Sequence, residues 1–204
     1  AMDQAPGAMA WVARAASNAE QTLAALREQG FQILQHQRVW LLNSLSKLEI
    51  AAALPEPLLL QPLTRASAVL LLQLELVATP SPLRQLQDLR SEDLLDDSQA
   101  ESLVLIDPQR HQAVAGARLL RRRHRGPTEI ELSLHPGWGH LLGNVLGHLL
   151  AAAATKKLPV LVRCDLGNSA GLTWLAQQGA IELQEELVFA RSLWRRHEIS
   201  PNPG

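Results

Sequence analysis

Hydrophobic and polar positions follow two rhythms along this chain, and both are clearest between residues 158 and 193. Residues 159–164 form a short, partly β-branched apolar run that predicts a buried parallel strand. Asn168 or Ser169 then caps a helix whose apolar residues Leu172, Leu175 and Ala176 recur at helical spacing. Gly179 stands where a left-handed residue would end it, and a strand resumes from Ile181 through Phe189. The stretch from Trp11 to Leu42 repeats this order of strand, helix, glycine stop and strand. Aligned without a gap, Arg14 meets Arg163, Leu23 meets Leu172, Leu26 meets Leu175, Gly30 meets Gly179 and Val39 meets Val188. An internal repeat of this kind changes the expected fold. The competing reading is two Leu- and Gln-rich amphipathic units that match by composition.

Between the two units the pattern continues. A short helical segment after Asn43 ends at Leu54-Pro55-Glu56-Pro57, where two prolines mark a boundary. Residues 58–63 predict a strand, and Thr64 caps a helix over 65–77. That helix is apolar all round and is therefore expected to be well buried. Thr79-Pro80-Ser81-Pro82 ends it, and a second helix is expected over 83–90. The acidic run 91–97 reads as a solvated turn. A strand over 102–107, a turn at Asp107-Pro108 and a returning antiparallel strand over 113–123 follow. The basic patch from Arg121 to Arg125 reads as a solvated hairpin tip. Residues 128–135 alternate strictly: Ile130, Leu132 and Leu134 point one way, and Glu129, Glu131, Ser133 and His135 the other.

The last unit resembles the GNAT superfamily of acyl-CoA-dependent N-acyltransferases, in which a strand is followed by N-x-x-A-x-x-x-Y-x-x-x-G-F and a final strand. Asn168 takes the Asn place, Gly171 the small residue, Leu175 the Tyr, Gly179 the Gly and Ala180 the Phe. The resemblance implies an α/β (α+β) fold with a mixed, mostly antiparallel central sheet flanked by helices. An extra N-terminal strand-helix-strand unit would precede it. The implied organisation is a partial repeat and linker over 1–57, a GNAT-like domain over 58–194 and a tail over 195–204.

It also implies where the chemistry lies. The polar face of the 128–135 strand would look into the substrate cleft, where a base takes a proton from an ammonium so that the neutral amine attacks a thioester carbonyl. A carboxylate desolvated there is shifted toward neutrality, which makes Glu131 the first candidate and His135 the second. The following turn occupies the place of the family's acyl-CoA loop, whose small residues let backbone amides meet a pyrophosphate. Counting from Pro136, the motif positions fall on Gly139, Leu142 and Asn144; shifting by one recovers only Gly143. The implied cofactor-binding set is Leu134, Gly137, Gly139, His140, Leu142, Gly143, Asn144 and Asn168, with acetyl-CoA as co-substrate. With Leu175 in the Tyr place and no Tyr in the chain, protonation of the leaving thiolate falls to water, to Ser169 or to no group at all.

Composition narrows the alternatives. The 204 residues are 47% hydrophobic and 19% charged with net charge -1, the make-up of a globular protein with no general attraction to nucleic acid. The single Cys164 rules out an internal disulfide framework and fits a reducing, cytoplasmic setting. With Asp165 beside it, Cys164 reads as a buried strand thiol rather than a nucleophile. His140 and His148 lie about two helical turns apart with no ligand set to complete them, so no metal is expected. No leader or membrane span is read in the sequence. The expected function is transfer of an acetyl group from acetyl-CoA to an amine on a small molecule or protein. The rival is a GNAT-fold binding or regulatory module without catalysis. A homodimer stays open.

Overall fold

The computed structural model describes residues 10–43, 54–79, 81, 84, 89–120, 127–138, 146–150, 152 and 159–192. Its strands are β1 (Ala10–Ala16), β2 (Gln32–Leu42), β3 (Leu59–Pro62), β4 (Leu103–Asp107), β5 (Gln112–Leu119), β6 (Thr128–Leu134), β7 (Val160–Asp165) and β8 (Ile181–Ser192). Helices α1 (Glu20–Glu28), α2 (Arg65–Ala78), α3 (Ser91–Asp96) and α4 (Ser169–Gln177) connect them, with a 3₁₀ turn at Pro136–Trp138 and a helical stretch at 146–150. All eight strands join one sheet in the order β1-β8-β2-β7-β6-β5-β4-β3. Only β6 and β7 run parallel; every other neighbouring pair is antiparallel. This is the mixed, mostly antiparallel, helix-flanked sheet that the sequence predicts.

Both strand-helix-strand units form as read. Asn168 caps α4 by accepting the Gly171 amide at 3.0 Å. Gly30 and Gly179 end α1 and α4 with φ of 79° and 71°, the left-handed region open to glycine. The units also pair reciprocally. When Arg14 is equated with Arg163 and Val39 with Val188, the β1–β8 pair Arg14↔Val188 becomes the β2–β7 pair Val39↔Arg163. Within β2–β8, Gln35↔Val188 becomes Val39↔Gln184, and Ile33↔Phe189 becomes Trp40↔Glu182, so even the two register shifts correspond. The turn bonds match as well: Ser17 N–H to Glu185 O at 2.8 Å answers Leu166 N–H to His36 O at 3.0 Å. As a result β2, from the N-terminal unit, lies between the two strands of the C-terminal unit.

The sheet is strongly curled. Strands β1 and β6 are separated by three others, which in a flat sheet puts them about 19 Å apart. Yet Arg14 of β1 reaches Glu131 of β6 at 3.2 Å. The convex face carries the main core, where Trp40, Leu42, Ile130, Val160, Val162, Leu149 and Leu175 meet, and a smaller cluster in which Leu23 and Phe31 pack on Leu187 and Phe189. The concave face carries Arg14, Gln37, Arg163, Glu186, Glu129 and Glu131, interleaved with the buried Val39 and Val188, and α2 closes it over β5. Gly116 allows this approach, since a Cβ there would stand 2.5 Å from Leu71 Cδ1.

Two expectations are corrected. Helix α2 buries only one stripe, Ser67, Ala68, Leu71 and Leu74, while Val69, Leu76 and Val77 are exposed. It packs as an outer layer on one face of the sheet, and its apolar content does not reveal that. The acidic run is the helix α3 rather than a turn; Leu94 anchors it in the core and Asp93 accepts the Arg90 amide, while the remaining acids face solvent. The expected helix at 83–90 and the basic patch lie largely outside the described residues.

Candidate active site

Strand β6 sets the register of the concave face. Its pairing with β7 covers Thr128↔Val160 to Glu131↔Arg163 and stops there, while its pairing with β5 continues to Leu134↔Ala115. Beyond Glu131 the two parallel strands part, so the β6 backbone at Leu132–Leu134 has no strand partner on its β7 side among the described residues.

The side chains below this opening are tied into three sets of contacts. Glu131 gives one oxygen to Arg118 and the other to Arg14. Arg118, nearly fully buried, also faces Glu75 of α2 at 3.6 Å, and the Ser133 hydroxyl donates to that same Glu75 carboxylate. Arg163 binds Glu129 at 2.6 Å and Glu186 at 3.0 Å. Gln184 donates to Glu186 at 2.9 Å. Further along the trough Gln37 donates to Gln35, which donates to Asp165 at 2.7 Å. Burial raises the Glu75 carboxyl above the ordinary carboxylate range; Arg118 and the Ser133 hydroxyl pull it back, and Glu131 pushes it further up.

The structure thus brings Glu129, Glu131 and Ser133 together as their alternation predicts. His135 stands apart, because its Nδ1 accepts the Gly137 amide at 3.1 Å and ties the ring to its own turn. Leu134 is buried in the main core, and Asn168 spends its carbonyl on the α4 cap. Gly139, His140, Leu142, Gly143 and Asn144 lie outside the described residues. Glu75 and Arg118 join the site from outside the alternating strand, and its pattern does not point to them. Each carries a detectable signal, since Glu75 is the one acid of a mostly apolar helix and Arg118 the one charge of a buried strand.

Solved structures supply the comparison. A GCN5-related N-acetyltransferase from Sphaerobacter thermophilus superposes with TM-score 0.56 at 12% identity, over 94% of this chain and 62% of that one. A tandem GNAT protein from the clavulanic acid biosynthesis pathway gives 0.54 at 10% identity, over 92% of this chain and 65% of that one. A GCN5-related N-acetyltransferase-like protein from Streptococcus suis gives 0.53 at 16%, over 84% and 68%. The chain has the GNAT fold. No family model and no curated protein sequence matches it, and it spans less than two thirds of the length of the Sphaerobacter and clavulanic-acid-pathway proteins.

Within the GNAT fold, Cys164 is a packing residue. Its thiol lies in the main core against the α4 glycine Gly171, and burial, reinforced by Asp165, pushes it up to about 12. The folded chain is expected to resist a thiol reagent at neutral pH and to react with one equivalent in denaturant; rapid labelling of the folded chain would show the thiol to be accessible. Among the described residues no group of three His, Cys, Asp or Glu side chains is arranged to hold a metal ion. Nor is any described helix long and apolar enough to cross a membrane.

Proposed function

We propose that this chain transfers an acetyl group from acetyl-CoA to an amine, and that its N-terminal unit is a partial second copy of the fold. The observation that carries the first part is the parting of β6 from β7 beside a buried, arginine-ordered set of carboxylates. The free edge of β6 at Leu132–Leu134 suits the amide groups of an extended pantetheine arm, which can pair with it as a strand would. The thioester carbonyl would then lie near Ser133 and Glu131. The reciprocal pairing of the two units supports the second part.

In this reading Glu131 holds the acceptor ammonium and Glu75 takes a proton from it. A carboxylate raised by burial is the better base near neutral pH, and Ser133 and Arg118 keep it oriented. The amine lone pair attacks the carbonyl carbon, the carbon–sulfur bond breaks, and the proton that the attacking nitrogen sheds passes through water to the departing CoA thiolate. Glu131→Gln is expected to raise KM for the amine.

Calorimetric titration with acetyl-CoA and release of CoA thiol across an amine panel test this function. Binding with amine-dependent thiol release is expected, and Glu75→Gln should lower kcat about 10²- to 10⁴-fold, the range for loss of a general base. Activity should rise with pH as Glu75 ionises, on a limb displaced upward from an ordinary carboxylate and absent in Glu75→Gln. No binding at millimolar acetyl-CoA would leave a non-catalytic module as the reading.

A further inference from the structure

Three arginines face the trough, and they are not equally engaged. Arg163 uses Nη1 on Glu129 and Nε on Glu186; Arg118 uses Nη2 on Glu131 and turns Nε toward Glu75. Arg14 reaches in from β1 with a single contact among the described residues, Nη2 to Glu131 Oε1, and its side chain is 42% exposed against 14% and 9% for the other two. A guanidinium carries five donors in a planar fork matched to a carboxylate, so most of the Arg14 fork is unused.

The contact that Arg14 makes is also the one that an acceptor must break. Glu131 Oε2 is held by buried Arg118, leaving Oε1 for an incoming ammonium, and Arg14 occupies Oε1. An amine with no anionic group would have to displace Arg14 from Glu131 and leave its guanidinium to water alone. An amine that also bears a carboxylate brings Arg14 a replacement partner as it takes Glu131, so both charges stay paired throughout. A second observation lies along the same trough. Gln37 is 8% exposed, its amide nitrogen donates to Gln35, and its Oε1 is buried without a hydrogen-bond partner among the described residues. An acceptor left open in this way is one that an ordered water or a donor group entering the trough would satisfy.

We infer that the acceptor is an amino-acid-like zwitterion, with its carboxylate on the free fork of Arg14 and its ammonium on Glu131. This inference rests on the acetyltransferase reading and adds the substrate class. It makes the N-terminal unit part of the acceptor site, since β1 supplies the carboxylate-binding residue.

The test compares free amino acids with their carboxamides at saturating acetyl-CoA, following CoA thiol release. The acids are expected to be better acceptors, and Arg14→Gln should erase the preference by cutting their kcat/KM about ten- to a hundredfold more than that of the amides, chiefly through KM, as loss of hydrogen bonds to a charged group predicts. Arg14→Lys keeps the charge without the fork and should recover only part of the preference. Circular dichroism confirms that each variant is folded. If acetyl-CoA binds and amines are acetylated with no preference for a carboxylate, or Arg14→Gln lowers acids and amides alike, this inference falls and the transferase reading stands. If neither set releases thiol although acetyl-CoA binds, the inference falls as well. Absence of acetyl-CoA binding removes both.

Discussion

Expressed without residues 1–57, the remainder of the chain is expected not to fold. Strand β2 is hydrogen-bonded on both sides, to β7 and to β8, and it brings Val39, Trp40 and Leu42 into the interior. Leu23 and Phe31 of the same unit cover Leu187 and Phe189. At about 1.5–3 kcal/mol for each such side chain, these five contribute on the order of 10 kcal/mol. A domain of this size has a total stability of only about 5–15 kcal/mol. The truncated chain would also present three bare strand edges, one on β7 and both of β8, which favours aggregation. Soluble yield, circular dichroism and thermal unfolding of the 58–204 fragment check this, with residues 1–57 co-expressed as a separate peptide to rescue it. A cooperative unfolding transition in the fragment alone would show that the later strands close a sheet without β2.

Replacement of Arg118 by Ala should be the most damaging single change in the trough. It leaves Glu131, Glu75 and Ser133 packed around a vacated cation site, with two carboxylates facing each other at low exposure. Removing one partner of such a buried set costs about 3–5 kcal/mol, which for a chain of this length lowers Tm by roughly 6–20 °C. The pH dependence has a definite sign. Burial already holds Glu75 above its unfolded value, and loss of Arg118 raises it further, so the folded state favours the protonated acid. The deficit should therefore shrink as pH falls and grow as it rises through the raised value. Adding Glu75→Gln to the Arg118→Ala chain should recover part of the loss, and the double-mutant cycle measures the coupling. A Tm unchanged by Arg118→Ala would show that water serves these carboxylates as well as the guanidinium does.

The sequence disclosed what is decided locally. Asn168, Gly30 and Gly179 act within one or two helical turns of their own positions, and the alternation of Glu129, Glu131 and Ser133 is a property of a single strand, so caps, stops and the polar face could be read directly. The partners of that face could not. Arg14 lies 117 positions from Glu131, and Glu75 lies 58 from Ser133. No period or spacing links them, because they meet only after the sheet has curled and α2 has settled on Gly116. The exposed side of α2 is not legible in the sequence for a related reason: apolar content says how much of a helix can be buried, while the number of layers above it is a property of the whole fold. His135 shows a third limit. It keeps the alternation of β6, but it stands one residue beyond the strand, where its own turn claims the ring.

The pairing of β1 with β8 joins residues 10–16 to residues 186–192, close to the full span of the described chain. On a ribosome, the first strand must wait unpaired until almost the last has emerged, and β2 is left without both of its neighbours for nearly as long. Folding dominated by such distant pairings is slow, since a large loop must close before any contact rewards it. The trough that holds Arg14 opposite Glu131 therefore cannot exist until β8 has left the ribosome.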